Sequence, residues 1–289
     1  MSRSTSRENQ MLKVAIPNKG ILSETAILML REAGYAVRRD SKELHVIDSD
    51  NNIEFFYLRP RDIATYVGSG SLDVGLTGLD LLLDSRSPAK AVEDLRFGES
   101  TFRFAAPKGA FSEVSQLEGK RVATAYVNLV EDFLAKAGVT CLLVELDGAV
   151  ESAVKLGVAD AVADVVSTGN TLRQAGLEVF GPVILNSTAH LISTPGKEDL
   201  AGALLRRLRG VVVAREYVIF DYDCPSNLLD RASQLTPGIE SPTVSPLRDE
   251  NWVAVRALVK ASETNSTMDA LYELGARAIL VSAIHAARI

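Results

Sequence analysis

The chain has 289 residues, 47% of them hydrophobic, with 31 basic against 37 acidic side chains and a formal net charge of −6. That length and apolar content suffice for about two domains with sizeable cores. The acidic balance argues against a nucleic-acid binder, so any anionic substrate has to be drawn by local clusters of cations. Cys141 and Cys224 are too few for a disulfide framework or a zinc site, and no apolar run reaches transmembrane length. His45, His190 and His285 are scattered and form no metal or triad pattern. The first ten residues, MSRSTSRENQ, lack the apolar core of a secretory signal and read as a disordered tail, so a reducing, cytoplasmic setting is expected.

Leu12 to Ile16 reads as a short strand stopped by Pro17, followed by Asn18-Lys19-Gly20 and a helix from about Ser23 to Ala33 that ends at Gly34. Lys19 at the strand's carboxyl end can reach an anion and Gly20 lets it approach, although a plain βα turn would read the same way. Glu54 to Leu58 is a second strand that delivers Arg59-Pro60-Arg61-Asp62 to its end. Two guanidiniums around a chain-stiffening proline suit bidentate oxyanion binding. They equally suit a solvated pair at the head of a helix from Ile63 to Ser69. Asp73 to Asp80 is a buried strand ending in Thr77, Gly78 and Asp80, and Phe102 to Pro107 follows Ser100 as a crossover strand.

From about residue 108 to 181 the pattern builds a second, smaller α/β lobe, and two lobes imply a cleft between them. Arg121 to Thr124 is its first strand and a helix runs on to Gly138; Tyr126, at the turn, could stack on a base or sugar or pack in the core. Leu142 to Leu146 is the next strand. Glu151 then opens an amphipathic helix closed by Gly157, Ala159-Asp160 turns the chain, and Ala161 to Val166 is a β-branched run interrupted by Asp164. A lone carboxylate near a buried strand's carboxyl end costs desolvation unless it meets a cation, a donor or a ligand, and ligands of open α/β sheets gather there. Ser167-Thr168-Gly169-Asn170-Thr171 supply hydroxyls, a permissive glycine and backbone N–H groups leading into a helix near Leu172, which is how an anion cradle is made; an N-capped βα turn has the same composition.

The stretch Glu151 to Leu172 resembles the signature of the ATP phosphoribosyltransferase family. Glu151, Gly157, Ala159, Asp164, Val165, Thr168, Gly169, Thr171 and Leu172 stand where that signature has Glu, Gly, a small residue and Asp-hydrophobic-x-x-Ser/Thr-Gly-x-Thr-Leu. The Pro17-Asn18-Lys19-Gly20 tetrad, Arg59-Pro60-x-Asp62-Ile63 and Gly75-Leu76-Thr77-Gly78-x-Asp80 are similar to the family's pattern as well. Val127 departs from it, since members often carry proline there.

After Gly181-Pro182, Val183 to Ser187 and Ala189 to Ser193 should return the chain to the first lobe, followed by a helix from Lys197 to Arg209. From Gly210 the period changes. Val211 to Asp221 reads as a strand, Pro225 to Leu235 as a helix, Ser241 to Arg248 and Trp252 to Val259 as a hairpin, Ser266 to Leu274 as a helix and Ala276 to Ser282 as a last strand, a ferredoxin-like βαββαβ unit. The expected organisation is a tail at 1–10, a discontinuous first lobe at 11–107 and 182–210, a second lobe at 108–181 and a C-terminal domain at 211–289.

The resemblance implies an α/β catalytic region of the two-lobe, periplasmic-binding-protein type II kind that joins N1 of the adenine of ATP to C1 of phosphoribosyl pyrophosphate, with magnesium as cofactor. Lys19, Arg59, Arg61 and Asp164 would be catalytic. Gly20, Thr77, Gly78, Asp80, Ser100, Tyr126, Glu151 and the loop Ser167, Thr168, Gly169, Asn170 and Thr171 would bind substrate, with Asp164 also meeting magnesium, held mainly through substrate phosphates. Asp221 to Pro225 and Thr236 to Thr243 look like the C-terminal regulatory domain of long-form members, which histidine inhibits. Asp223, Ile239, Thr243, Leu258 and Ala278 are its candidate allosteric contacts, with Leu258 and Ala278 taken to lie on facing strands. AMP as a further ligand and a homodimer assembling to a homohexamer complete the expectation. A C-terminal domain that only assembles oligomers, a two-lobe solute-binding protein without chemistry and a small-molecule-sensing regulator are the competing readings.

Overall fold

Val14, Ala15 and Ile16 have no exposed surface, which is what a strand covered on both faces demands of its side chains. They belong to β1 (Leu12–Pro17) of a computed structural model that describes residues 11–37, 44–166 and 169–288. In chain order there follow α1 (Gly20–Glu32), β2 (His45–Asp48), β3 (Ile53–Leu58), α2 (Pro60–Gly68), β4 (Val74–Gly78), α3 (Leu79–Asp84) and β5 (Lys90–Asp94). Then come β6 (Ser100–Pro107), β7 (Arg121–Thr124), α4 (Val127–Ala137), β8 (Leu142–Glu145), α5 (Ser152–Lys155), β9 (Ala161–Val166), α6 (Asn170–Gln174), β10 (Leu177–Ser187) and β11 (Ala189–Ser193). The chain divides into two compact units, one up to Leu205 and one from Arg206.

The first unit holds two sheets. One has the order β2-β3-β1-β4-β11-β5, with β3, β1 and β4 parallel and β11 inserted antiparallel between β4 and β5. Its α2 face is a cluster in which Ile63, Ala64 and Val67 meet Ala15 and Ile192. The approach is close enough that a Cβ on Gly75 of β4 would collide with Ile63, so this strand position admits only glycine. The other sheet has the order β10-β6-β9-β7-β8. Its period-2 alternation sorts two cores. Phe102, Phe104, Val122, Ala161 and Ala163 face Leu129, Val130 and Leu134 of α4, while Ala105, Ala123 and Val162 face Val150, Ala153 and Leu172 on the opposite side.

Two expectations change here. β6 and β10, expected to lie within or partly within the first lobe, pair with each other, and β6 pairs on its other side with β9, so both are part of the second sheet. They are the long strands by which the chain enters and leaves that lobe, and pairing along their length satisfies backbone groups that a bare crossover would leave open. Short elements at β2, α3 and β5 are additional to those read from periodicity.

The second expectation concerns α7 (Gly202–Glu216), which extends through the predicted strand start at Val211. Leu204, Leu208, Val211 and Val212 are buried at helical spacing, so the three consecutive valines continue an apolar stripe and tertiary burial overrides their β preference. Beyond it the second unit runs β12 (Tyr217–Pro225), α8 (Leu229–Leu235), β13 (Thr243–Pro246), β14 (Trp252–Lys260), α9 (Thr264–Leu274) and β15 (Arg277–Ala283). The antiparallel order β13-β14-β12-β15 is the ferredoxin-like arrangement. Phe220, Tyr222, Cys224, Val255 and Val259 pack under α8 and α9, so the alternate residues of β12 and β14 lie on the other face of the sheet.

Candidate active site

Because β1, β3 and β4 are parallel, their carboxyl ends share one edge, tied where the Asn18 N–H donates to the Leu58 carbonyl at 2.8 Å. Lys19 precedes α1 in extended conformation and Arg59 precedes α2 likewise; both side chains are exposed. Gly20 has φ +77 with open space around a built Cβ, so its backbone conformation rather than crowding calls for glycine. Thr77 is buried and its hydroxyl donates to the Pro60 carbonyl at 2.9 Å, fastening β4 to α2. A Cβ on Gly78 would overlap the Asp80 carboxylate. Asp80 is buried and accepts the Ser187 hydroxyl at 2.8 Å, while Ser187 Oγ accepts the Asp80 N–H at 3.1 Å. Ser100 opens β6 opposite Ser187.

The second sheet sends the carboxyl ends of β7 and β9 to a common edge. Tyr126 follows β7, its N–H donating to Thr124 Oγ1 at 3.0 Å and its ring edge-on to Phe102 at 5.0 Å. Arg61 lies 4.8 Å over the same ring, and the Tyr126 hydroxyl bonds Asp80. Burial first, then the charge and hydrogen bond of Asp80, push this hydroxyl well above its ordinary titration range. Both roles foreseen for Tyr126 are thereby narrowed: it packs on Phe102 and also joins the two edges.

Asp84 at the end of α3 does the same from the other side. Its Oδ2 accepts Arg61 Nη1 at 2.9 Å, its Oδ1 accepts the Leu129 N–H of α4 at 3.2 Å, and its carbonyl accepts Asn128 Nδ2 at 2.7 Å. Arg86 adds contacts to Glu131 at 2.8 Å and Asp132 at 2.6 Å. Asp84, Ser187 and Asn128 escaped the sequence reading; the one available signal was an acid closing the apolar run Leu81-Leu82-Leu83, where an unpaired carboxylate would be costly.

Asp164 has the parity of Val162 and Val166, so it faces α5 and α6 and not α4. Its Oδ1 accepts the Val165 N–H at 2.7 Å. Burial pushes its carboxyl above the ordinary value; the Val165 N–H opposes this, the acids Glu151 and Asp80 add to it, and Arg61 counters. Three acids and one arginine therefore share a single electrostatic neighbourhood. Glu151 sits at the head of α5 without capping it through its side chain. Gly169 has φ +69 at the head of α6, Asn170 accepts from Arg173, and Thr171 is exposed. Ser167 and Thr168 lie outside the described residues.

In the second unit, Asp223, Thr243 and Leu258 are on the face turned away from α8 and α9: Leu258 pairs with Ile219, and Thr243 with Arg256. On that face Asp221 is already paired with Arg256 at 2.7 Å, which leaves Asp223 as the neighbouring acid. Leu258 and Ala278 are not on facing strands, because β12 separates β14 from β15. Ala278 is exposed with φ +50, where two residues of β15 oppose Tyr222 in a bulge. Ile239 is exposed in the connection after α8.

Residues 59–210 match the family model described as ATP phosphoribosyltransferase, and residues 214–286 match that of its C-terminal domain, HisG_C. The chain is 61% identical to the ATP phosphoribosyltransferase of Paenarthrobacter aurescens (strain TC1) over 286 residues, which are 96% of this chain and all of that protein. It is 55% identical to the protein of that name in Streptomyces avermitilis over 285 residues, again covering 96% of this chain and all of the relative. Among solved structures, the ATP phosphoribosyl transferase (HisG:HisZ) complex from Thermotoga maritima aligns with a TM-score of 0.61 and 30% identity over 70% of this chain and 98% of that one.

Proposed function

The chain belongs to the ATP phosphoribosyltransferase family in its long form, and from that membership we propose how its own residues divide the work. The reaction is the first step of histidine biosynthesis, a pentosyl transfer from 5-phosphoribosyl 1-pyrophosphate to ATP that yields N1-(5-phosphoribosyl)-ATP and pyrophosphate. The bond from ribose C1 to the pyrophosphate oxygen breaks, the bond from C1 to adenine N1 forms, and no protein nucleophile is needed.

Most of the charge to be managed is on the leaving pyrophosphate, so Lys19, Arg59 and Arg61 would stabilise its departure. Arg61 reaches this task already oriented, stacked on Tyr126 and bonded to Asp84. Asp164, with Glu151 nearby, would hold the ribose hydroxyls and offset the positive charge that develops on the sugar ring. The loop from 167 to 171 would cradle the 5′-phosphate. The observation that carries this division is the placement of Arg61, from the carboxyl edge of the first sheet, 4.8 Å over the ring of Tyr126 at the carboxyl edge of the second, the edge to which β9 brings Asp164.

The family's divalent metal is taken to be magnesium. Among the described residues no three His, Cys, Asp or Glu side chains converge as a metal cage. Such a hard cation would be held through substrate phosphates and one or two carboxylates such as Asp164, and there it would neutralise charge on the departing pyrophosphate.

The second unit would sense histidine on its open sheet face, the ammonium against Asp223 and the side chain along Leu258, with Thr243, Ile239 and Ala278 around it. AMP as a nucleotide inhibitor, dimers assembling to hexamers and a cytoplasmic location belong to the same proposal; no helix among the described residues is long and apolar enough to cross a membrane. Incubation with ATP, phosphoribosyl pyrophosphate and magnesium should generate a new adenine chromophore together with pyrophosphate. Tight binding of both substrates without turnover would favour the solute-binding alternative instead.

A further inference from the structure

Arg103 on β6 is the register partner of Asp164 on β9, and the alternation of both strands turns the two side chains to the face that carries Ala105 and Val162. Directly opposed residues of an antiparallel pair have Cβ atoms about 4.5–5.5 Å apart, well within the reach of a guanidinium. Yet each makes other contacts. Arg103 leans the opposite way and donates through Nη2 to the Gly181 carbonyl at 2.9 Å, where β10 bulges between Phe180 and Leu185. Its Nε–H is buried and has no acceptor. Asp164 spends Oδ1 on the Val165 N–H, and the cation that offsets its charge is Arg61, which follows β3 of the other sheet and forms its ion pair with Asp84.

Two unmet demands therefore adjoin: a charged donor without an acceptor, and an acid among acids without a bonded cation. A buried donor left unpaired is costly and rare enough to ask which state of the molecule uses it. Acquiring the pair needs side-chain rotation and no strand movement. We propose that Arg103 is a positioning residue for the transfer reaction: in the substrate complex its Nε–H edge bonds one oxygen of Asp164 and so directs the other oxygen at the ribose. This rests on the assignment of Asp164 to the ribose given above.

The test compares Arg103→Gln and Arg103→Lys, each alone and combined with Asp164→Asn, by steady-state kinetics with phosphoribosyl pyrophosphate varied at saturating ATP and by thermal melting. Arg103→Gln is expected to lower kcat at least tenfold with a smaller change in KM, and Arg103→Lys to recover part of the loss. In the Asp164→Asn background the same Arg103→Gln change is expected to alter kcat less than twofold, because its effect passes through the carboxylate. Equal fold losses in both backgrounds, or full activity of Arg103→Gln beside an impaired Asp164→Asn, overturns the proposal and leaves the role of Asp164 standing. A fully active Asp164→Asn removes both. Should Arg103→Gln not fold, Arg103→Lys in the two backgrounds supplies the same comparison.

Discussion

Arg61 donates to Asp84 at 2.9 Å, and the acid is the more enclosed partner, its side chain 9% exposed against 45% for the arginine. The same carboxylate accepts the Leu129 N–H at the start of α4, so charge pairing and helix capping meet on one group. Asp84→Asn keeps an acceptor for Leu129, whereas Asp84→Ala orphans a buried N–H as well as the arginine. Asp84→Ala is expected to cost about 1–3 kcal/mol and Asp84→Asn clearly less. Thermal melting of the two variants checks the order, and equal losses would mean that the cap contributes nothing.

Asp160 accepts the Arg121 side chain at 2.8 Å and the Arg121 N–H at 2.9 Å, and these bonds lower its carboxyl from 3.8 to about 2. A depressed folded value means stability that is present above the unfolded value and is lost as pH falls from about 3.8 through about 2. Wild type should therefore exceed Asp160→Asn in stability at neutral pH, and the difference should shrink over that acid window. A difference that stays constant in acid urea titrations would count against the ion pair.

Asp164 shows the opposite sign, because burial raises its carboxyl. Its ionised form costs stability above the folded value, and that cost is absent below the unfolded one. Asp164→Asn should thus melt higher than wild type at neutral pH without ligand, yet lose kcat on the order of 10²-fold. A variant that melts lower and stays active would make the acid structural.

Gly169 turns left-handed at φ +69, and a built Cβ would find only Val166 at an ordinary 3.7 Å. Gly169→Ala therefore meets a backbone penalty of about 1–2 kcal/mol and little steric crowding. Its KM for phosphoribosyl pyrophosphate should rise, and Gly169→Val should raise it further. Thr171→Ala should weaken binding of this substrate by about 1.5–3 kcal/mol, the worth of a hydrogen bond to a charged group. Titration calorimetry reads these changes, and unchanged affinity in folded Gly169→Val would remove the loop from the site.

Asp223→Ala is expected to retain turnover and to lose inhibition by histidine, since its neighbour Asp221 is held by Arg256 and cannot substitute. Inhibition requires that histidine prefer the less active state, so binding and inhibition have to be measured together. An Asp223→Ala enzyme still fully inhibited would rule out this carboxylate as the ammonium partner.

What the sequence could reveal follows physical range. Buried strands such as β1, β3 and β9 announce themselves through β-branched or aromatic runs closed by Pro17, Arg59-Pro60 or a glycine loop, and Asp164 stood out because an acid in such a run needs a reason. Arg61 was legible as a cation at a strand end, but its tie to Asp84 was not, because no local pattern reports a partner on another element. The valines at 211 to 213 misled for the complementary reason: their intrinsic preference is extended, and only the stripe begun at Leu204 and Leu208 shows that burial decides. Thr77 carried the right residue type at the right edge, yet its hydroxyl closes a packing contact with Pro60.

The insertion of β11 between β4 and β5 sets a timetable for synthesis. Among the described residues β5 pairs with β11 alone, and His190 must reach Asp94 across roughly a hundred intervening residues that include the whole second lobe. At a ribosomal rate of about 5–20 residues per second, β5 waits on the order of 5–20 s with its ladder partner still unmade, and β4, already paired with β1, waits as long with its other edge open. The emerging chain therefore passes through a stage in which the second lobe can close while the first keeps an open strand edge, the kind of surface that chaperones cover and that neighbouring nascent chains on a crowded polysome can pair with. Substitutions that slow the folding of the second lobe should accordingly lower the yield of protein from cells more than they lower the stability of what is finally purified.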